Sequence, residues 1–99
     1  MSSSIEIARQ KQVGVDIFIR VLLREDGGVR FEGQDIGDRV KEIWGDDDYE
    51  YWVDVRASET GRVLLLLLKE KYNGNIQAVT DFRSFCERNG IPHQFSTWT

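Results

Sequence analysis

The sequence is poor in residues that build covalent or metal-bound sites. Its 99 residues include one cysteine (Cys86), one histidine (His93) and one proline (Pro92). A single cysteine excludes an internal disulfide. Together with a single histidine it excludes a four-ligand His/Cys zinc site within one chain. Glycine patterns of the P-loop, dinucleotide-binding or G-x-S-x-G kind do not occur, and Asp26-Gly27-Gly28 is a turn rather than a phosphate cradle. The longest apolar run, Val63 to Leu68, is far short of the roughly 20 residues that span a bilayer. Met1-Ser2-Ser3-Ser4-Ile5-Glu6 lacks the basic and apolar regions of a signal peptide, and a lone thiol suits a reducing compartment, so a cytoplasmic protein without membrane association is expected.

What is present belongs to an ordinary folded chain. Hydrophobic residues make up 40% and charged residues 30%, inside the globular range, and the length suits one domain, 1–99. Residues 1–12 are expected as an arm or an edge strand. Val13 to Arg24 alternates, with Val15, Ile17, Ile19, Val21 and Leu23 on one side and Asp16, Phe18, Arg20 and Leu22 on the other, the period of a strand with one buried face. Glu25-Asp26-Gly27-Gly28 supplies a turn and Val29 to Glu32 a short returning strand. Ile36, Val40, Ile43 and Trp44 fall on one helical face, which predicts a helix over 35–44 capped by Asp35 and closed by Gly45. Tyr49, Tyr51, Val53 and Val55 alternate with Glu50, Trp52, Asp54 and Arg56 as a further strand.

The leucine run fits a buried strand or a helix. Leucine's helix preference, Ser58 as a cap and Lys69-Glu70-Lys71 as continuation favour the helix, ending at Asn73-Gly74. A third helix is expected from Asn75 to about Asn89, with Ile76, Val79, Phe82 and Cys86 as its inner stripe. His93 to Trp98 alternates as a last strand. The expected fold is α+β: a two-layer sandwich, mainly an antiparallel sheet of about four strands with two or three helices packed on one face. A strand at 63–71 would instead approach a split β-α-β arrangement.

Charge is unevenly placed. Residues 25–60 hold twelve acids against four bases inside a chain of net charge -4, with the densest stretch at Asp46-Asp47-Asp48-Tyr49-Glu50. Such a run keeps a loop solvated, docks a basic partner, or ligates a divalent cation, although calcium-loop spacing is absent. If helices cover one side of the sheet, Phe18, Arg20, Leu22, Trp52 and Arg56 occupy the other among carboxylates, a composition common at interfaces. Bases could stack on Phe18 and Trp52, but the acidic block opposes phosphate, so no nucleic acid is expected. A Cys86–His93 nucleophile pair has no supporting motif.

The expected function is therefore a small, acidic, non-catalytic protein-binding or regulatory module, in its sharpest form an immunity- or antitoxin-type inhibitor of a basic protein. The partner-binding residues are Asp46, Asp47, Asp48, Glu50, Trp52, Phe18, Arg20 and Arg56. No cofactor, metal or catalytic residue is expected. The alternatives are a homodimer or larger homo-oligomer joined through the open sheet face, and a small enzyme subunit completed by dimerisation.

Overall fold

The structure, a computed structural model, describes residues 3–98. It is an α+β fold: a four-stranded antiparallel sheet and three helices. The strands are β1 (Ser3–Gln12), β2 (Val15–Leu23), β3 (Val29–Ile36) and β4 (Asp48–Val55), and their order in space, β1-β2-β3-β4, repeats their order in the chain. Helices α1 (Asp38–Trp44), α2 (Thr60–Tyr72) and α3 (Ala78–Arg88) complete the chain, with a 3-10 turn at Ala57–Glu59. Contacts cluster in two compact units, and the boundary falls inside α2, between Leu64 and Leu65.

In the first unit, alternation gives the sheet two chemically distinct faces. Ile19, Gly33 and Tyr51 stand side by side across β2, β3 and β4, and Val21, Phe31 and Val53 form the next row, so one face is apolar. Arg20, Glu32 and Trp52, and Phe18, Gln34 and Glu50, form rows on the other, polar face. Helix α1 packs against β2 and β4 on the apolar side, where the Trp44 ring stacks on Tyr49 at 4.7 Å and 8°. Val40 is 5% exposed beneath this helix, the buried anchor of its short apolar stripe.

Several expected boundaries shift, each for a local reason. The N-terminal segment is a ten-residue edge strand, paired with β2 along its length. Strand β3 runs on past Glu32 to Ile36, because Gln34 and Asp35 find β4 partners in Glu50 and Tyr49. Helix α1 therefore begins at Asp38 rather than 35, preceded by Gly37 without a side-chain cap, while Gly45 closes it in the left-handed region as expected. Asp35 is not a cap: its carboxylate accepts a hydrogen bond from Tyr51 Oη at 2.9 Å. Ser58 lies in the 3-10 turn, and at the start of α2 Thr60 Oγ1 donates instead to Gly27 O at 2.6 Å, tying the helix to the β2–β3 turn.

The leucine run is helical, and Leu64 to Leu67 are exposed on it. In the second unit, α2 ends at Tyr72 and the chain turns through Asn75, whose Oδ1 accepts from Gln77 N (2.9 Å) and whose Nδ2 donates to Asp81 (2.8 Å). That turn takes the place of a cap at Asn75. It leaves Ile76 before the helix and exposed, and α3 starts at Ala78. Phe82 stands edge-on to Tyr72 (6.3 Å, 86°), and Lys71 Nζ lies 4.8 Å above Phe85. Cys86 is 3% exposed, as expected of the inner stripe.

The last expected strand does not form: all strands among the described residues lie within 3–55. After Gly90 the chain folds back on α3, with Ile91 N donating to Cys86 O (2.9 Å) and Phe95 lying 4.6 Å beneath the Arg83 guanidinium. Alternation over six residues, with Pro92 just ahead, is satisfied by these local contacts without strand pairing.

Candidate functional site on the polar sheet face

The polar face is organised by cross-strand pairing. Arg20 Nε donates to Glu32 on the neighbouring strand. Arg30 makes a two-pronged contact with Asp54, Nε to Oδ1 at 2.7 Å and Nη2 to Oδ2 at 3.0 Å, and Arg24 reaches the same carboxylate at 3.4 Å. The hydrogen bond from Arg30 holds the Asp54 carboxyl below its ordinary range, and the arginine's own pKa is raised by the same bond. Arg30 also lies 5.1 Å above the Trp52 ring, and Arg9 of β1 lies 5.0 Å above Phe18.

Toward the α1–β4 turn this pairing stops. Asp48 Oδ1 and Glu50 Oε1 accept from the neutral Gln34 amide, at 2.9 and 3.5 Å. Among the described residues no cation pairs with Asp46, Asp47, Asp48 or Glu50. Beside Glu50 a shallow basin of about 420 Å³ opens over the strands, lined by Glu6, Phe18, Arg20, Glu32, Gln34 and Trp52, among others. Trp52 is 51% exposed at its edge.

Of the expected partner-binding residues, five share this face: Phe18, Arg20, Asp48, Glu50 and Trp52. Asp46 and Asp47 lie in the turn leading into β4, and Arg56 follows the last paired residue, preceding the 3-10 turn. The sequence reading left out Glu6, Arg9, Glu32 and Gln34. Glu32 and Gln34 were legible in principle, since Arg30, Glu32 and Gln34 keep a period of two. Glu6 and Arg9 were hidden because an irregularity between Glu6 and Ala8 changes which residues share a face. Cys86 is buried on α3, whereas His93 is exposed, with Nδ1 2.8 Å from Ile91 O and Nε2 3.9 Å from Glu87. Among the described residues no group of three or more His, Cys, Asp or Glu side chains is placed to hold a metal ion, and no helix is long and apolar enough to cross a membrane.

The opposite face supplies a spectroscopic handle on the same strands. The Tyr51 ring lies across Gly33, and burial, then the hydrogen bond to Asp35, raise its pKa above the ordinary tyrosine value of 10.0. Its contribution to stability is thus complete below that ordinary value and is lost as pH climbs through the higher folded one. In an alkaline titration followed by tyrosinate absorbance, one tyrosine is expected to ionise late. Asp35→Asn should bring it part of the way back, because desolvation persists. A late step that survives Tyr51→Phe would contradict this assignment.

Comparison of the chain with models of protein families, with curated proteins and with solved structures returns no match.

Proposed function

We propose that the chain is a small non-catalytic module that binds a basic protein through the polar face of its sheet, in its sharpest form as an inhibitor covering a cationic cleft. One contrast carries this reading. Glu32 and Asp54 are each held by arginine, whereas Asp48 and Glu50, four and two residues before Trp52 on the same strand, have no cationic partner among the described residues. Unpaired carboxylates steer an approaching basic surface, and a half-exposed tryptophan beside them supplies the desolvated anchor that charge alone lacks. Phe18 and Arg20 extend the contact across the sheet.

The test compares three baits: the wild type, the quadruple reversal of Asp46, Asp47, Asp48 and Glu50 to Lys, and Trp52→Ala. Proteins retained by the wild type should be basic and should elute as ionic strength rises past the order of 0.15 M, where the screening length falls to about 8 Å. The quadruple variant should lose them, and Trp52→Ala should retain them more weakly at every salt concentration. Recovery of the same proteins on all three baits would remove the proposal.

A further inference from the structure

The outer edge of β1 is a second surface, and we infer that it pairs with the same edge of another copy of this chain. All ten residues of β1 are exposed, and β1 is the first strand of the sheet, so one side of its backbone faces no other strand among the described residues. Its charges are segregated: Glu6 lies in the first half, Arg9 and Lys11 in the second. An antiparallel pair of such strands brings opposite charges together, because each strand's first half meets the other's second half.

The irregularity in β1 sharpens this to a single register. Glu6 is opposite Arg20 on β2, Ala8 is opposite Ile19, and Ile7 has no partner of its own, so one extra residue is inserted at that point. The insertion resets the alternation. Glu6 now shares the polar face with Arg9 and Lys11, which are opposite Phe18 and Asp16, although Arg9 lies an odd three positions after Glu6. With a two-fold axis between Ile7 and Ala8, Glu6 of one copy is opposite Arg9 of the other, Ser4 opposite Lys11, and Ile5 opposite Gln10. Every one of these pairs keeps both members on the same face, and the two irregularities meet at the axis. Shifting the register to set Glu6 against Lys11 would place Ala8 against Arg9, from opposite faces, which a sheet does not allow.

Ile7, 53% exposed, would meet Ala8 of the other copy at the axis. The other edge strand opposes a contact of comparable length. The two longest face-preserving antiparallel registers of β4 on itself set carboxylates against each other, Asp48 against Asp54 in one and Glu50 against Asp54 in the other. The surface is therefore specific to β1, and its symmetric partner closes the assembly at two copies, joining two sheets into one of eight strands. An edge contact is smaller than a standard interface, so the dimer is reversible.

Sedimentation equilibrium over a range of concentrations tests this with a charge swap. The wild type should pass from one chain to two as concentration rises. Glu6→Arg makes the charged residues of the strand all basic, and Arg9→Glu with Lys11→Glu makes them all acidic. Each variant alone should dimerise at least about tenfold more weakly, since like charges then face each other. Mixed in equal amounts, the two should form a heterodimer at least as tight as the wild-type dimer. A wild type that stays a single chain throughout, variants that dimerise undiminished, or a mixture that stays monomeric would each overturn the inference. Glu6 also lines the basin beside Trp52 and Arg9 lies over Phe18, but the readout is self-association alone, so the edge contact and the binding of a basic partner are judged by different measurements.

Discussion

Gly37→Ala is expected to destabilise the first unit by about 3 kcal/mol. Gly37 has φ 145°, a value that L side chains rarely adopt. A Cβ there would come within 2.9 Å of Gly14 C and 3.0 Å of Val15 Cα, and nearer still to Gly14 O. These are backbone atoms, so no rotamer change relieves the overlap. The same spot is a junction. Gly37 N donates to Asp47 O (2.9 Å) and Arg39 N donates to Gly14 O (3.0 Å), which ties the β1–β2 turn, the start of α1 and the approach to β4 together.

Gly45→Ala is the control, because its φ of 82° is also left-handed but nothing lies within 4 Å of the added Cβ. It should cost about 1 kcal/mol, the backbone penalty alone. Urea denaturation followed by tryptophan fluorescence, with comparable m values, measures both. Equal midpoints for the two variants would show that the close approach at Gly37 has no energetic weight.

Gly33→Ala should lower stability by about 1–3 kcal/mol, and the sign should reverse when Tyr51 is removed first. Gly33 sits in mid-strand directly opposite Tyr51. An added Cβ would fall inside the envelope of Tyr51 Cε2, Cζ and Oη. The ring cannot swing away freely, because its hydroxyl is bonded to Asp35 and it leans on Tyr49 at 5.4 Å. Gly33→Ala should therefore also bring the late tyrosine ionisation at least part of the way back, as the bond to Asp35 breaks. In a Tyr51→Ala background the space is empty, and replacing a mid-strand glycine then restricts the unfolded chain, a gain of about 0.5 kcal/mol. Additive effects of Gly33→Ala and Tyr51→Ala in the double variant would show that the two positions do not touch.

The parts of this fold that were legible in the sequence are those written in a single period. Ile17, Ile19 and Val21 announce a strand with one apolar side, Tyr49, Tyr51 and Val53 announce another, and their pairing through β3 follows. Leucine's helical preference correctly decided the run from Val63 to Leu68. The misreadings fall where a tertiary contact overrides a local signal. Asp35 is a good helix cap in isolation, but the Tyr51 hydroxyl holds it in the strand. His93 to Trp98 alternates, yet the Arg83–Phe95 contact keeps it against α3. The polar face was half visible: Phe18, Arg20 and Trp52 follow from alternation alone. Glu6 and Arg9 could not be placed beside them without knowing that one residue in β1 is supernumerary.

Spatial order that copies chain order has a kinetic consequence. Each strand finds its partner in the segment just before it. Two residues separate β1 from β2, and five separate β2 from β3. Loops this short close at little entropic cost, and proteins whose pairings are local in this way fold quickly. The longest interval within the sheet, between β3 and β4, contains α1, and the Gly37–Asp47 hydrogen bond draws its two ends together. The sheet can therefore zip up hairpin by hairpin as the chain leaves the ribosome, without waiting for its last third to be synthesised.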